Sequence, residues 1–107
     1  MTAPSSLLDD LVSANRILAG LGVLDGFGHV SARHPDRADR YLLSRSLAPE
    51  LVTREDIMTF DLASVAQDDD ERAPYLERFI HGAIYAQRPE VQAIVHSHSQ
   101  AVVPFAA

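Results

Sequence analysis

The 107-residue sequence contains no cysteine, no cluster of basic side chains and no long apolar run. The absence of cysteine excludes a disulfide framework and any thiolate metal site. With a formal charge of −6 and an acidic run at Asp68-Asp69-Asp70, a nucleic-acid partner is not expected, because binding a phosphate backbone relies on Lys and Arg to neutralise it. The opening stretch "MTAPSSLLDDLV" has neither a basic segment nor an apolar stretch long enough for a signal peptide or membrane span. No membrane partner is expected, and the expected compartment is the cytoplasm.

What is present is a 47% hydrophobic composition, which fits one small domain with a single core. A chain of this size buries only about two thirds of its unfolded surface, so association with other copies would help it. Leu7, Leu11, Ala14, Leu18 and Leu21 recur at helical spacing, with Ser6 and Asp9 as the expected cap and Gly20 or Gly22 as the stop. "FGHVSAR" and "RYLLSRS", separated by the turn "HPDRAD", are expected to form a hairpin. Thr53 with Glu55 and Asp56 predicts a capped single turn, and "IMTFDL" a third strand before an acidic loop over 63–72. From Pro74, the positions Leu76, Phe79, Ile80, Ala83 and Ile84 predict a helix with proline in its first turn, ending before Arg88-Pro89. "VQAIVHSH" then reads as a strand, and "SQAVVPFAA" opens a further element. Helices interspersed with strands imply an α/β layer arrangement.

The chemistry concentrates at the end of that strand. His96 and His98 lie two residues apart, and the period of a strand puts both imidazoles on one face, where a divalent metal can bridge them. Imidazole suits zinc first, with manganese or iron as alternatives. A catalytic site usually takes three protein ligands, and the pair supplies two. Read alone, these histidines are as well explained as polar residues where a strand leaves the core. Glu77 and His81, four apart on the preceding predicted helix, share a face and bring a carboxylate and a third imidazole toward the pair. Each alone is ordinary: an exposed helix carboxylate and a boundary histidine.

Together, "GHVSAR" and "LERFIHGAIYAQRPEVQAIVHSHS" resemble the class II aldolase/adducin family, which includes fuculose-phosphate and ribulose-phosphate aldolases and epimerases and a branch of decarboxylases. The resemblance runs through nearly the whole chain and implies a three-layer α/β/α fold with a mostly antiparallel central sheet, truncated at its C-terminal end. It matches Glu77 to the family's acid/base carboxylate, His96 and His98 to metal ligands, and His81 to a supporting helix histidine. It also implies a homo-oligomer, a tetramer in typical members. A third metal histidine, which family members carry well beyond the pair, has no counterpart in the 107 residues.

Two departures narrow the reading. Sugar-phosphate aldolases carry Gly-Asn-hydrophobic-Ser where this chain has Gly28-His29-Val30-Ser31, and a Thr-Gly loop where it has "SRSLAPEL". A phosphate cradle needs backbone amides held close by small residues, so a sugar phosphate is disfavoured. "SRSLAPELV" resembles the decarboxylase branch instead. There Arg45, flanked by Ser44 and Ser46, suits a bidentate grip on a substrate carboxylate, with His29 lining the same pocket. The bland alternative for Arg45 is a charge at a strand end in solvent. The expectation is a metal-dependent lyase that decarboxylates a hydroxy-aromatic or muconic-semialdehyde-type carboxylate through a metal-stabilised enolate. The alternatives are an aldolase or epimerase on a small sugar or hydroxy-carbonyl, a non-catalytic adducin-like module, and a small metal-binding protein.

Overall fold

A computed structural model describes residues 5–21, 28–96 and 102–106. Helix α1 (Ser5–Gly20) precedes strands β1 (His29–Arg33), β2 (Arg40–Ser44) and β3 (Ile57–Asp61). Helix α2 (Arg78–Gln87) and strands β4 (Val91–His96) and β5 (Val102–Ala106) follow. The strands form one sheet in the order β3-β2-β1-β4-β5, and every pairing is antiparallel. The predicted hairpin is present, with Ser31 opposite Leu43 and Arg33 opposite Tyr41. β5 forms an edge, where Pro104 pairs with Ile94. An edge position tolerates a proline that lacks an N–H. No helix among the described residues is long and apolar enough to cross a membrane.

Strand alternation sorts the side chains onto two faces. Val30, Ala32 and Leu42 pack with Leu11, Leu7, Leu8, Ala14 and Leu18 of α1. On the opposite face, Tyr41, Leu43, Met58, Phe60, Val91 and Ile94 pack with Tyr75 and with Tyr85 of α2. The sheet is thus the middle of three layers, and β1 at its centre is buried at every residue. Each fully buried large apolar side chain contributes roughly 1.5–3 kcal/mol to this arrangement. The capped turn after β2 is also present: Asp56 accepts from the Thr53 backbone N–H and hydroxyl, each at 2.9 Å.

Three sequence expectations are corrected. Helix α1 begins at Ser5, so Ser6 lies within the first turn, and Leu21 falls beyond the helix with 73% of its surface exposed; Gly22 lies outside the described residues. Helix α2 begins at Arg78 rather than Pro74, with Glu77 at its N-cap. The intervening segment is recruited by β2, where Arg45 bridges Pro74 and the Ser46 N–H donates to the Ala73 carbonyl at 2.8 Å. Of the expected apolar row, Leu76, Phe79 and Ile80 face outward with 87%, 55% and 36% exposure and Ala83 is exposed, whereas Ile84 packs against the core; His81, Gly82 and Tyr85 form the buried face. Gly82 explains the choice of face. An added Cβ there would stand 2.6 Å from the Leu62 carbonyl oxygen and 2.4 Å from Ser64 Oγ, so only glycine lets α2 come this close.

Gly82→Ala is therefore expected to destabilise the chain by about 1–3 kcal/mol, read from denaturant unfolding. Gly20→Ala, which meets nothing within 4 Å, should leave stability unchanged or slightly raised.

Candidate functional site

The site grows from the face of β1 that looks toward α2. Period-2 alternation places His29, Ser31 and Arg33 there, all buried, and buried polar groups require hydrogen-bond partners. Helix α2 supplies most of them. His81 Nε2 lies 2.7 Å from His29 Nδ1, and His81 Nδ1 lies 2.6 Å from Ser31 Oγ. Ser31 Oγ in turn lies 2.8 Å from the Tyr85 hydroxyl. Arg33 donates from Nη2 to the Tyr85 and Arg88 carbonyls at 2.9 and 3.1 Å, and from Nε to the Val91 carbonyl at 2.9 Å. Its guanidinium also covers the Tyr85 ring at 4.7 Å. A cation that satisfies the last carbonyls of a helix holds that end in place.

The outer side of His29 carries the cluster with metal-binding chemistry. β1 and β4 pair so that His29 stands opposite His96, with His29 Nε2 3.2 Å from His96 Nδ1 and 3.6 Å from a Glu77 carboxylate oxygen. One donor atom each from His29, Glu77 and His96 lie within 4.8 Å of one another. Two imidazole nitrogens and a carboxylate oxygen form a donor set suited to zinc and other divalent first-row metals. His29 also has its second nitrogen bonded to a buried partner, the arrangement typical of a ligating imidazole. The residues present therefore fit a divalent metal. Glu77 is half exposed, and His96 is partly buried.

Burial, followed by the neighbouring His29 and His96, pushes the His81 imidazole well below its ordinary value of 6.5. His81 is consequently neutral near pH 7, with one nitrogen donating and the other accepting. Burial also raises the Tyr75 and Tyr85 hydroxyls, which keeps both protonated.

The structure thus gathers four of the residues singled out from sequence: His29, Glu77, His81 and His96. His29, read from sequence as a pocket-lining residue, stands among the metal-competent groups. His98 lies outside the described residues. Ser44, Arg45 and Ser46 form a second group at the end of β2. Ser44 is buried and donates to the Arg45 carbonyl at 2.8 Å. Arg45 Nε donates to Asp56 at 2.7 Å, so its charge is paired rather than left in solvent. Ser46 is exposed. Tyr75 connects the two groups: its ring centroid lies 4.6 Å from that of His29, and its hydroxyl donates to the Leu47 carbonyl.

Ser31, Tyr75 and Tyr85 were not singled out from sequence. A signal existed for two of them. Ser31 follows His29 by two residues on a strand, and Tyr85 follows His81 by four on a helix, so each shares a face with a residue already noted. Tyr75 carried no such signal, because its position depends on the segment docked at the end of β2.

Residues 9–107 match the family model described as the Class II Aldolase and Adducin N-terminal domain. The chain is 39% identical to the decarboxylase tropJ of Talaromyces stipitatus, over 98% of this chain and 41% of that protein. It is 25% identical to a probable L-ribulose-5-phosphate 4-epimerase of Mycoplasma pneumoniae, over 95% and 43%. Among solved structures it resembles the L-fuculose 1-phosphate aldolase of Glaciozyma antarctica, with a TM-score of 0.74 and 32% identity over 86% of this chain and 39% of that one. The chain spans about two fifths of the length of the curated relatives it matches.

A neutral buried histidine leads to a pH expectation for the metal-free chain. Unfolding lets His81 bind a proton that the folded state refuses, so its contribution is complete above pH 6.5 and is lost as pH falls below that value. The chain should therefore be less stable at pH 5.5 than at pH 8. Denaturant unfolding at the two pH values should show the loss in the wild type, and His81→Gln should remove that part of the slope.

Proposed function

This chain belongs to the class II aldolase and adducin N-terminal domain family, and on that basis we propose that it serves a divalent-metal-dependent carbon–carbon lyase. The reaction is decarboxylation of a hydroxy-substituted aromatic or muconic-semialdehyde-type carboxylate. The observation that carries the reading is the convergence of Glu77 with the imidazoles of His29 and His96, backed by the buried His81. Identity of 39% to a decarboxylase supports the choice of reaction.

In this reading His96 and His29 hold the metal, with His98 as a further ligand and zinc as the first choice over manganese or iron. The metal supplies positive charge that draws electron density out of the bond to the departing carboxylate. Glu77 carries the proton: its acid form delivers it to the carbon that CO2 has left, and its carboxylate takes up a new one. Half exposure lets Glu77 exchange that proton with solvent between turnovers. Arg45 orients the substrate. Its Nε holds Asp56, which steadies the guanidinium, and its terminal nitrogens are the donor pair that matches a carboxylate. Ser44 and Ser46 flank it, and Tyr75 links this grip to the histidine cluster.

The reading also takes residues 1–107 as a portion of a class II aldolase/adducin domain and includes assembly into a homo-oligomer, a tetramer by resemblance. Its second form is aldol cleavage, favoured by the 32% identity to an L-fuculose 1-phosphate aldolase. The same carboxylate can move the proton in either reaction, so the substrate separates them.

The chain loaded with Zn2+ or Mn2+ is expected to release CO2 from hydroxybenzoate-type substrates. Glu77→Gln should lower kcat by about 100- to 10,000-fold; near-normal turnover would remove Glu77 from its role. Arg45→Ala should raise KM with a smaller change in kcat, and an unchanged KM would remove the carboxylate grip. Cleavage of hydroxy-carbonyl substrates without CO2 release would assign the aldolase form. Metal binding without turnover on either class would leave a non-catalytic module.

A further inference from the structure

We propose that Ser31, His81 and Tyr85 are positioning residues that hold the His29 imidazole in one orientation and one tautomer at a time, with Nε2 as the nitrogen presented to Glu77 and His96. The purpose of this relay rests on the metal-site reading, whereas its existence rests on the hydrogen-bond geometry alone.

The relay runs from His29 Nδ1 to His81 Nε2 at 2.7 Å, from His81 Nδ1 to Ser31 Oγ at 2.6 Å, and from Ser31 Oγ to the Tyr85 hydroxyl at 2.8 Å. No member is more than 1% exposed. Both nitrogens of His81 are engaged where water does not reach. Turning that ring, or that of His29, would therefore break buried bonds without replacement, at about 1–3 kcal/mol for each polar group left unsatisfied. The far end is anchored as well, by the Arg33 grip on the Tyr85 carbonyl and the guanidinium over the Tyr85 ring.

A neutral imidazole carries one N–H, so the proton positions along the relay are linked. In one order Tyr85 donates to Ser31, Ser31 to His81 Nδ1, and His81 Nε2 to His29 Nδ1, which leaves the His29 proton on Nε2. In the reverse order His29 Nδ1–H donates to His81 Nε2, His81 Nδ1–H to Ser31, and Ser31 to Tyr85. His29 Nε2 then offers a lone pair. Only the reverse order suits a cation at that nitrogen. Hydroxyl groups both donate and accept, so two of them at the buried end let the relay adopt either order, which a carbonyl or an ammonium in their place would not. Loss of either hydroxyl removes a partner from the buried end and so shifts the balance between the two orders.

The test is nitrogen-detected histidine NMR on the 15N-labelled, metal-free chain, followed by Zn2+ calorimetry. Wild type should show matched tautomers, His29 and His81 carrying the proton both on Nε2 or both on Nδ1 in the same ratio. Ser31→Ala, which takes away the partner of His81 Nδ1, should change that ratio in both rings and weaken Zn2+ binding by about tenfold. Tyr85→Phe, which keeps the ring that packs in the core, should also change the ratio. Tautomer ratios of His29 and His81 unchanged from wild type in both variants would overturn the proposal. Zn2+ binding that is insensitive to His96→Ala would sink the metal-site reading separately, and the NMR of the metal-free variants would still decide whether the relay exists.

Discussion

His29, Ser31 and Arg33 project from one face of a strand that is buried along its whole length, and the α2 side of the molecule is organised around giving those three side chains partners. In water each would be solvated at no cost. Inside a three-layer fold each must be bonded within the protein or destabilise it by a few kcal/mol. Helix α2 meets that demand with three distinct groups: the His81 imidazole, the Tyr85 hydroxyl and the carbonyls at its own C-terminal end.

That demand sets the rotation of α2 about its axis. An ordinary amphipathic helix turns its apolar stripe inward; here Leu76, Phe79 and Ile80 remain exposed while His81, Gly82 and Tyr85 face the sheet. Gly82 permits the close approach to the Leu62–Ser64 backbone, which brings the short reach of His81 within bonding distance of β1. Arg33 then ties the last turn of α2 to the start of β4. The same strand that carries the buried row pairs with β4 so that His29 stands opposite His96. Structural satisfaction on one side of His29 and metal-competent chemistry on the other therefore belong to a single imidazole.

The second group of polar residues, at the end of β2, is built on different physics. Arg45 is partly exposed and paired with Asp56, and the Asp56 carboxylate also serves the Thr53 turn. Docking of residues 73–74 against this strand end takes Pro74 out of the helix and brings Tyr75 between the two groups. Shortening the helix at its start is thus what connects the region around Arg45 to the histidines.

Local patterns in the sequence determined the elements: the leucine spacing of α1, the turn-bounded runs that form β1 to β4, the Thr53 capping box and the stop of α2 at Arg88-Pro89. They also marked Glu77, His81 and His96 as chemically unusual, because spacing of two on a strand and four on a helix is a local property. Tertiary structure alone decided that His29 joins Glu77 and His96, since residues 67 apart meet only through the β1–β4 register. It likewise decided which face of α2 is buried and where that helix begins. Periodicity records how much apolar surface a helix has. It does not record that a buried polar row on another strand needs partners, which here come from His81 and Tyr85 on the other face of the helix.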